Sequence, residues 1–360
     1  MFFLGVGVAI VGATARMVGL DPAEIGYLIA VQNVGFGLAV FVAGRLSDRL
    51  RKASVLPVGL LLSAVAFLLL YRSESLAVNL AVVAMLGAGM GVAEAVTDAW
   101  LLELHERNES RLITINHLAV SVGSVIITLY LMALRLDWRL SLTQIALALA
   151  ILAVLVAFLR GGAVSSSPDS PGSLRSMVTD RGLVLLIVAA MGTVGIEAGS
   201  AGVLTTVAME LRGLSLDGAQ ALLALYLVGL AGGRVIVGAI GDRWRPETIL
   251  IASAALTLGS AIVVYALPVN GTPFIVAVGV LGIAAGPLLP LIIAAAGLRY
   301  RLQAGSAMGI VKVAIPVGGI LIPGIAGVVA DAASFQRSLV VFPIAALLIL
   351  CSALVIARSP

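Results

Sequence analysis

Cysteine is almost missing from this chain. The single one, Cys351, excludes an internal disulfide and a cysteine metal cluster. Charge is scarce as well: Asp, Glu, Lys and Arg make up 11% of the residues, where a soluble domain carries about 25%. Aromatic residues reach only 5%, and there are 2 histidines. Short catalytic patterns are also missing. No G-x-S-x-G, H-E-x-x-H, Cys/His cluster or P-loop G-x-x-x-x-G-K-[ST] occurs, so no enzyme activity, no ATP-driven pumping and no cofactor are expected. The first apolar run has neither a basic leader nor a cleavage site, so no cleavable signal peptide is expected.

What is abundant is apolar surface. The chain is 61% hydrophobic with 40 glycines, and its mean hydropathy is +1.16. A soluble core of this length cannot hold that much apolar area, so lipid must surround it, and a polytopic all-α membrane protein is predicted. Glycine lets membrane helices approach closely. Basic residues then mark loops on the cytoplasmic side rather than a nucleic-acid surface.

Apolar runs predict twelve spans. The first six are Met1–Val18, Ile25–Ala43, Ala53–Leu70, Leu76–Leu102, Leu112–Leu134 and Leu140–Leu159. The second six are Gly182–Met209, Leu216–Ile240, Thr248–Leu267, Thr272–Leu298, Ala304–Ala330 and Ser338–Ala357. Between them the composition turns to Ser, Pro, Gly and charge, which reads as a solvated linker. The domain expectation is therefore a bundle at 1–159, a linker at 160–181 and a bundle at 182–360. One set of alternate loops with the C-terminus holds 14 of the 22 basic residues, against 6 for the other set. The richer side is read as cytoplasmic, with both termini and the linker on it.

A charged loop is repeated. Gly44–Lys52 reads G-R-L-S-D-R-L-R-K, and Gly238–Pro246 reads G-A-I-G-D-R-W-R-P. Gly44, Asp48, Arg49 and Arg51 fall on Gly238, Asp242, Arg243 and Arg245 at an offset of 194. Two homologous halves are implied. The same offset sets Phe3 against Glu197, halfway along span 7, so span 1 is expected to be short, truncated or begun upstream of Met1.

The loop between spans 2 and 3 resembles the signature of the major facilitator superfamily, and its copy after span 8 is a weaker version. The resemblance implies two pseudo-symmetric six-helix bundles, a secondary active transporter, a small-molecule substrate, a monomer in the plasma membrane and alternating access by rocking one half on the other. Gly87–Asp98 (G-A-G-M-G-V-A-E-A-V-T-D), Arg111–Gly123 (R-L-I-T-I-N-H-L-A-V-S-V-G), G-P-L-L-P at 286–290 and Gly318–Gly327 resemble the fucose permease branch. That likeness implies proton-coupled symport of a sugar or related metabolite; a drug or metabolite exporter and an organic-anion transporter stand as alternatives. Departures are Asp98, where the branch has Asn, and the unexpected Lys312. The acid that the branch carries in its first helix has no match here.

Charges inside spans are costly, about 2.5–3.5 kcal/mol each on insertion scales, and each needs a partner, a neutral form or water. Glu94 and Asp98 are one turn apart on one face of span 4, where two close carboxylates repel, and the pair suits proton uptake and release. Spans 5 and 11 align at an offset of 195, which sets His117 on Lys312. These two are expected to face each other across a central cavity as a positive pole, or to pair with Glu94. Glu197 lies mid-span among glycines and is a candidate substrate contact. The substrate and proton-coupling set is thus Glu94, Asp98, His117, Glu197 and Lys312.

The gate set is Gly44, Asp48, Arg49, Arg51, Arg234, Asp242 and Arg243. By resemblance, Asp48 and Asp242 cap a helix and pair with arginine when the cytoplasmic side closes. Arg234 is expected to tie span 8 to that gate, and Gln32 and Asn33 to bond between helices. Pro287, Pro290, Pro316 and Pro323 predict kinks in spans 10 and 11.

Overall fold

A computed structural model describes residues 1–20, 22–105, 109–133, 138–158, 177–240 and 243–358. Its helices are α1 (Phe2–Val18), α2 (Pro22–Ser47), α3 (Lys52–Leu69), α4 (Leu76–Leu104), α5 (Glu109–Ala133) and α6 (Trp138–Ala157). After the linker region come α7 (Arg181–Thr206), α8 (Leu216–Ile240), α9 (Pro246–Ala261), α10 (Thr272–Ala285), α11 (Leu288–Arg299), α12 (Ala304–Lys312), α13 (Ala314–Ala332), α14 (Phe335–Ser338) and α15 (Val341–Arg358). Among the described residues eleven helical segments are long and apolar enough to cross a membrane. The shorter α1 makes the twelfth span. At about 1.5 Å per residue its 17 residues fall short of the ~30 Å hydrocarbon core, whereas its counterpart α7 has 26.

Spans 10 and 11 are each broken into two helices, and proline explains both breaks. A proline lacks the N–H that would bond the carbonyl four residues earlier. Pro290 therefore leaves the Gly286 carbonyl without its helical donor, and α10 ends at Ala285. Pro316 does the same to the Lys312 carbonyl, and α12 ends at Lys312. Pro323, by contrast, sits inside a continuous α13. Residues 159–176, which hold most of the expected linker, lie outside the described residues.

Contacts divide the chain into two compact units that do not follow the two sequence halves. The first holds α1 to α4, α6, α5 from Asn116 onward, and the segment Gly297–Val313 that contains α12. Its centre is α4, which packs on α2 and α3, and α12 lies against both α2 and α4. Backbones touch at these crossings: a Cβ on Gly87 would stand 2.0 Å from the Gln32 carbonyl oxygen. Gln32 donates to the Gly7 carbonyl of α1 at 2.8 Å, an interhelical bond as expected. Asn33 does not follow that expectation, because it bonds the Ile29 carbonyl of its own helix.

The second unit holds α7 to α10, α11 as far as Ala296, α13 and α15, together with the start of α5 through Ile115. Here α7 packs on α13 and α15, while α8 packs on α10. Glycines set the α8–α10 crossing too: a Cβ on Gly233 would lie 2.0 Å from the Ile283 oxygen.

Candidate functional site: a buried lysine between two carboxylates

Four charge-bearing side chains meet inside the first unit. Glu94 and Asp98 project from one face of α4, being a single turn apart. Lys312 is the last residue of α12 and is fully buried. Its Nζ lies 2.8 Å from Glu94 Oε1 and 2.6 Å from Asp98 Oδ2. His117 Nε2, on α5, stands 3.1 Å from the same Asp98 oxygen. Asn116 Nδ2 donates to the other, Oδ1, at 2.8 Å. Asp98, with no exposure of its own, thus gathers three partners from two further helices.

The physics of this arrangement is that of a buried ion cluster. Removing charges from water costs several kcal/mol per ion, and only close, well-formed bonds offset it. Lys312 provides them for both acids at once. Its position at the C-terminus of α12 adds the favourable dipole of that helix end. The break that Pro316 enforces places the lysine there.

This geometry corrects two expectations. His117 and Lys312 do not oppose each other as a positive pole; both converge on one oxygen of Asp98, and Lys312 makes the pair with Glu94 that was the other expectation. Glu94 and Asp98 are not a bare repelling pair, because the ammonium lies on both. With Glu94 and Asp98 ionised, Lys312 protonated and His117 neutral, the four side chains sum to one negative charge. Asn116 was missed as a site residue, although it stands beside His117 in the stretch that carried the resemblance.

Glu94, Asp98 and His117 also place ligand atoms within 4.8 Å of one another, a donor set of two carboxylates and an imidazole. The Lys312 ammonium already lies on both carboxylates and opposes a metal ion there.

The loop after α2 acts at the other end of α12. Asp48 Oδ1 accepts from the Gly305 amide at 2.9 Å and Oδ2 from the Ser306 amide at 2.8 Å. Asp48 therefore caps the N-terminus of a helix more than 250 residues away in sequence, where the dipole favours an acid. Burial pushes its carboxyl up from the usual range, against the lowering effect of these bonds and of Lys52. Close approach explains Gly44: a Cβ there would sit 2.3 Å from the Gly305 oxygen.

The gate set needs correcting at Asp48. Asp48 bonds backbone amides rather than an arginine. Arg49, Arg51 and Arg243 are exposed. Asp242 lies outside the described residues. A pair absent from the gate set does stand there: Lys52 Nζ is 2.5 Å from Glu103 Oε2, joining the start of α3 to the end of α4. Both line a cleft of about 230 Å³ with Asp48, Arg301 and Gly305. The charge pattern of the loop pointed to Lys52; nothing local marked Glu103 as its partner.

Arg234 departs furthest from expectation. It belongs to the second unit, and its partner is Glu197, both of whose oxygens lie 3.4 Å from Nη2. Its Nε donates to the Gly286 carbonyl at 2.9 Å. Glu197 likewise belongs to the second unit. Nearby on α7, Ser200 receives the Tyr265 hydroxyl at 2.6 Å.

The Major Facilitator Superfamily model matches residues 1–269 and 187–360. The chain belongs to this superfamily. It is a multi-pass membrane transporter rather than an enzyme. A search of curated protein sequences finds no significant match. Solved structures share the fold. The E. coli fucose:proton symporter FucP aligns at TM-score 0.83 and 18% identity over 99% of this chain and 97% of FucP. The human organic anion transporter MFSD10 (TETRAN) aligns at 0.72 and 17% over 97% of this chain and 89% of its own. The proton:xylose symporter XylE aligns at 0.72 and 14%, over 99% and 93%.

Proposed function

We propose that this transporter is a proton-coupled symporter of a small, neutral, polar solute, with a sugar or related hydroxylated metabolite as the substrate class. It works as a monomer in the plasma membrane, with both termini cytoplasmic and the proton gradient as its energy source. The observation that carries this reading is the Lys312 ammonium held between Glu94 and Asp98 in an apolar setting. A proton delivered to either carboxylate takes that acid from Lys312, so protonation and the hold on α12 are linked. Hydroxyl groups of a neutral solute can accept from Lys312, Asn116 and His117 and donate to the carboxylates.

The α12 helix gives the linkage a mechanical outlet. Asp48 holds its first turn and Glu94 with Asp98 holds its last residue. Releasing both ends frees α12 from α2 and α4, and alternating access requires contacts of this kind to form and break. The organic-anion alternative is supported by the fold shared with MFSD10. The cluster opposes it, since two carboxylates around one lysine repel an anion.

Uptake into proteoliposomes, with and without an imposed inward proton gradient, tests the proposal. Fucose, xylose and other neutral sugars are screened beside organic anions. Gradient-driven accumulation of a neutral sugar supports symport. Accumulation of anions alone, or extrusion driven by the inward gradient, overturns it.

A further inference from the structure

The second unit contains a break that a single side chain closes. Pro290 deprives the Gly286 carbonyl of its helical donor, and such a group in an apolar interior is costly unless another donor reaches it. Arg234 Nε supplies that donor at 2.9 Å. It arrives from α8, whose backbone is already against α10 at Gly233 and at Gly286: a Cβ on the latter would lie 2.1 Å from the Leu230 oxygen. The remaining face of the same guanidinium meets both oxygens of Glu197 on α7 at 3.4 Å. The side chains of Arg234 and Glu197 are 12% and 18% exposed, so the pair is sheltered but not sealed.

We propose that Arg234 is the positioning residue of the α10–α11 hinge. Its Nε replaces the hydrogen bond that Pro290 removes, and its Nη2 makes the hinge answer to Glu197. One planar group serves both contacts because a guanidinium presents donors along two edges. A lysine cannot do this, since its ammonium is a single point on a flexible stem. A solute group that bonds Glu197, or a change in the charge of Glu197, draws on the same guanidinium that holds Gly286. The hinge is loosened from α7 without any contact of its own to the solute.

The test is amide hydrogen exchange across residues 284–292 of the purified, full-length protein in nanodiscs. Four variants are compared with the wild type: Arg234→Lys, Glu197→Gln, Pro290→Ala and the double variant Arg234→Lys with Pro290→Ala. Arg234→Lys is expected to speed exchange at the Gly286, Leu289 and Leu291 amides roughly tenfold to a hundredfold, the population change that a charge-assisted bond carries. Glu197→Gln produces a smaller rise in the same segment. Pro290→Ala restores the N–H that Gly286 lacks, so the double variant returns to wild-type exchange or below. That rescue separates a missing hydrogen bond from general loosening, which Pro290→Ala would not repair. Pro290→Ala alone slows exchange there, and this arm stands even if Arg234→Lys does not fold. The proposal is overturned if Arg234→Lys leaves the segment unchanged, if Pro290→Ala fails to repair it, or if Pro290→Ala alone leaves exchange as it was. Wild-type exchange in Glu197→Gln removes the link to α7. None of these readings requires transport, so they stand apart from the symport proposal.

Discussion

Replacing Lys312 by methionine keeps the length of the side chain and removes its charge. In the native arrangement Nζ lies 2.8 Å from Glu94 and 2.6 Å from Asp98 with no solvent exposure. Taking one partner from a buried ion pair costs on the order of 3–5 kcal/mol, because the remaining charge stays buried and unpaired. Here two carboxylates lose their partner together. Such a cost shifts the population of docked α12 by roughly two to three orders of magnitude, at about 1.4 kcal/mol per tenfold. The assay is maleimide labelling of a reporter on α12, Met308→Cys, which is buried in the native packing. The native Cys351 is exposed and is first changed to serine. Lys312→Met should raise labelling by at least tenfold and lower the apparent unfolding temperature in detergent. A neutral triple variant, Glu94→Gln, Asp98→Asn and Lys312→Met, should recover most of that loss, since no unpaired charge remains, yet show no gradient-driven uptake. Wild-type labelling and unfolding in well-expressed Lys312→Met would refute the cluster as the anchor of α12.

Three further outcomes follow from the same unit. Asp48→Ala removes a cap that typically contributes about 1 kcal/mol, so Met308→Cys labelling should rise roughly fivefold while membrane insertion is retained; unchanged labelling sinks the capping role. Gly44→Ala puts a methyl group 2.3 Å from the Gly305 oxygen, and neither backbone can yield cheaply. A cost of about 1–3 kcal/mol is expected, read as raised labelling at 308, and tolerance of the alanine would argue against close α2–α12 contact. Lys52→Glu alone should reduce the yield of folded protein, and Lys52→Glu with Glu103→Lys should restore it; failure of the swap would show that the 2.5 Å pair is incidental.

Hydropathy made the spans legible because each one must satisfy its own backbone and shed its charges, and both demands are written locally. Helix breaks were half legible. Four prolines predicted kinks, but Pro323 leaves α13 continuous while Pro287 and Pro290 sit at the break of span 10 and Pro316 at that of span 11. The donor that meets the carbonyl orphaned by Pro290 was not legible, since Arg234 is 52 residues from Gly286. The buried charges were found one by one, since any ionisable group in a span stands out. Among their partners, Glu94 was expected for Lys312 and Asp98 was not. Lys312 and Asp98 are 214 residues apart, and which acid a lysine meets depends on the rotation of two helices about their axes. Internal symmetry paired Lys312 with His117, and both do reach Asp98 Oδ2. It implied opposition where the structure has convergence, because symmetry relates helices without saying which side chain lies between them.

The charged loop and the buried lysine are two ends of one element. The loop supplies two things to α12: a residue without a side chain at 44, which permits backbone contact, and an acid at 48, which fits the positive end of a helix. Arg49 and Arg51 are exposed, and the only basic residue of α12 is Lys312 at its opposite end. An acid at the N-terminus and a cation at the C-terminus are what the dipole of a short helix favours at each end. Neither end is self-sufficient, since nine residues make a marginal helix without outside partners. Loss of the carboxylates at Lys312 therefore weakens the same helix that Asp48 caps, and loss of the cap weakens the platform on which Lys312 stands. Coupling between the signature loop and the charge cluster needs no longer pathway than α12 itself. It predicts that Asp48→Ala and Lys312→Met are less than additive in their effect on Met308→Cys labelling, because either one alone already undocks the helix. Simple additivity would mean that the two ends of α12 act independently.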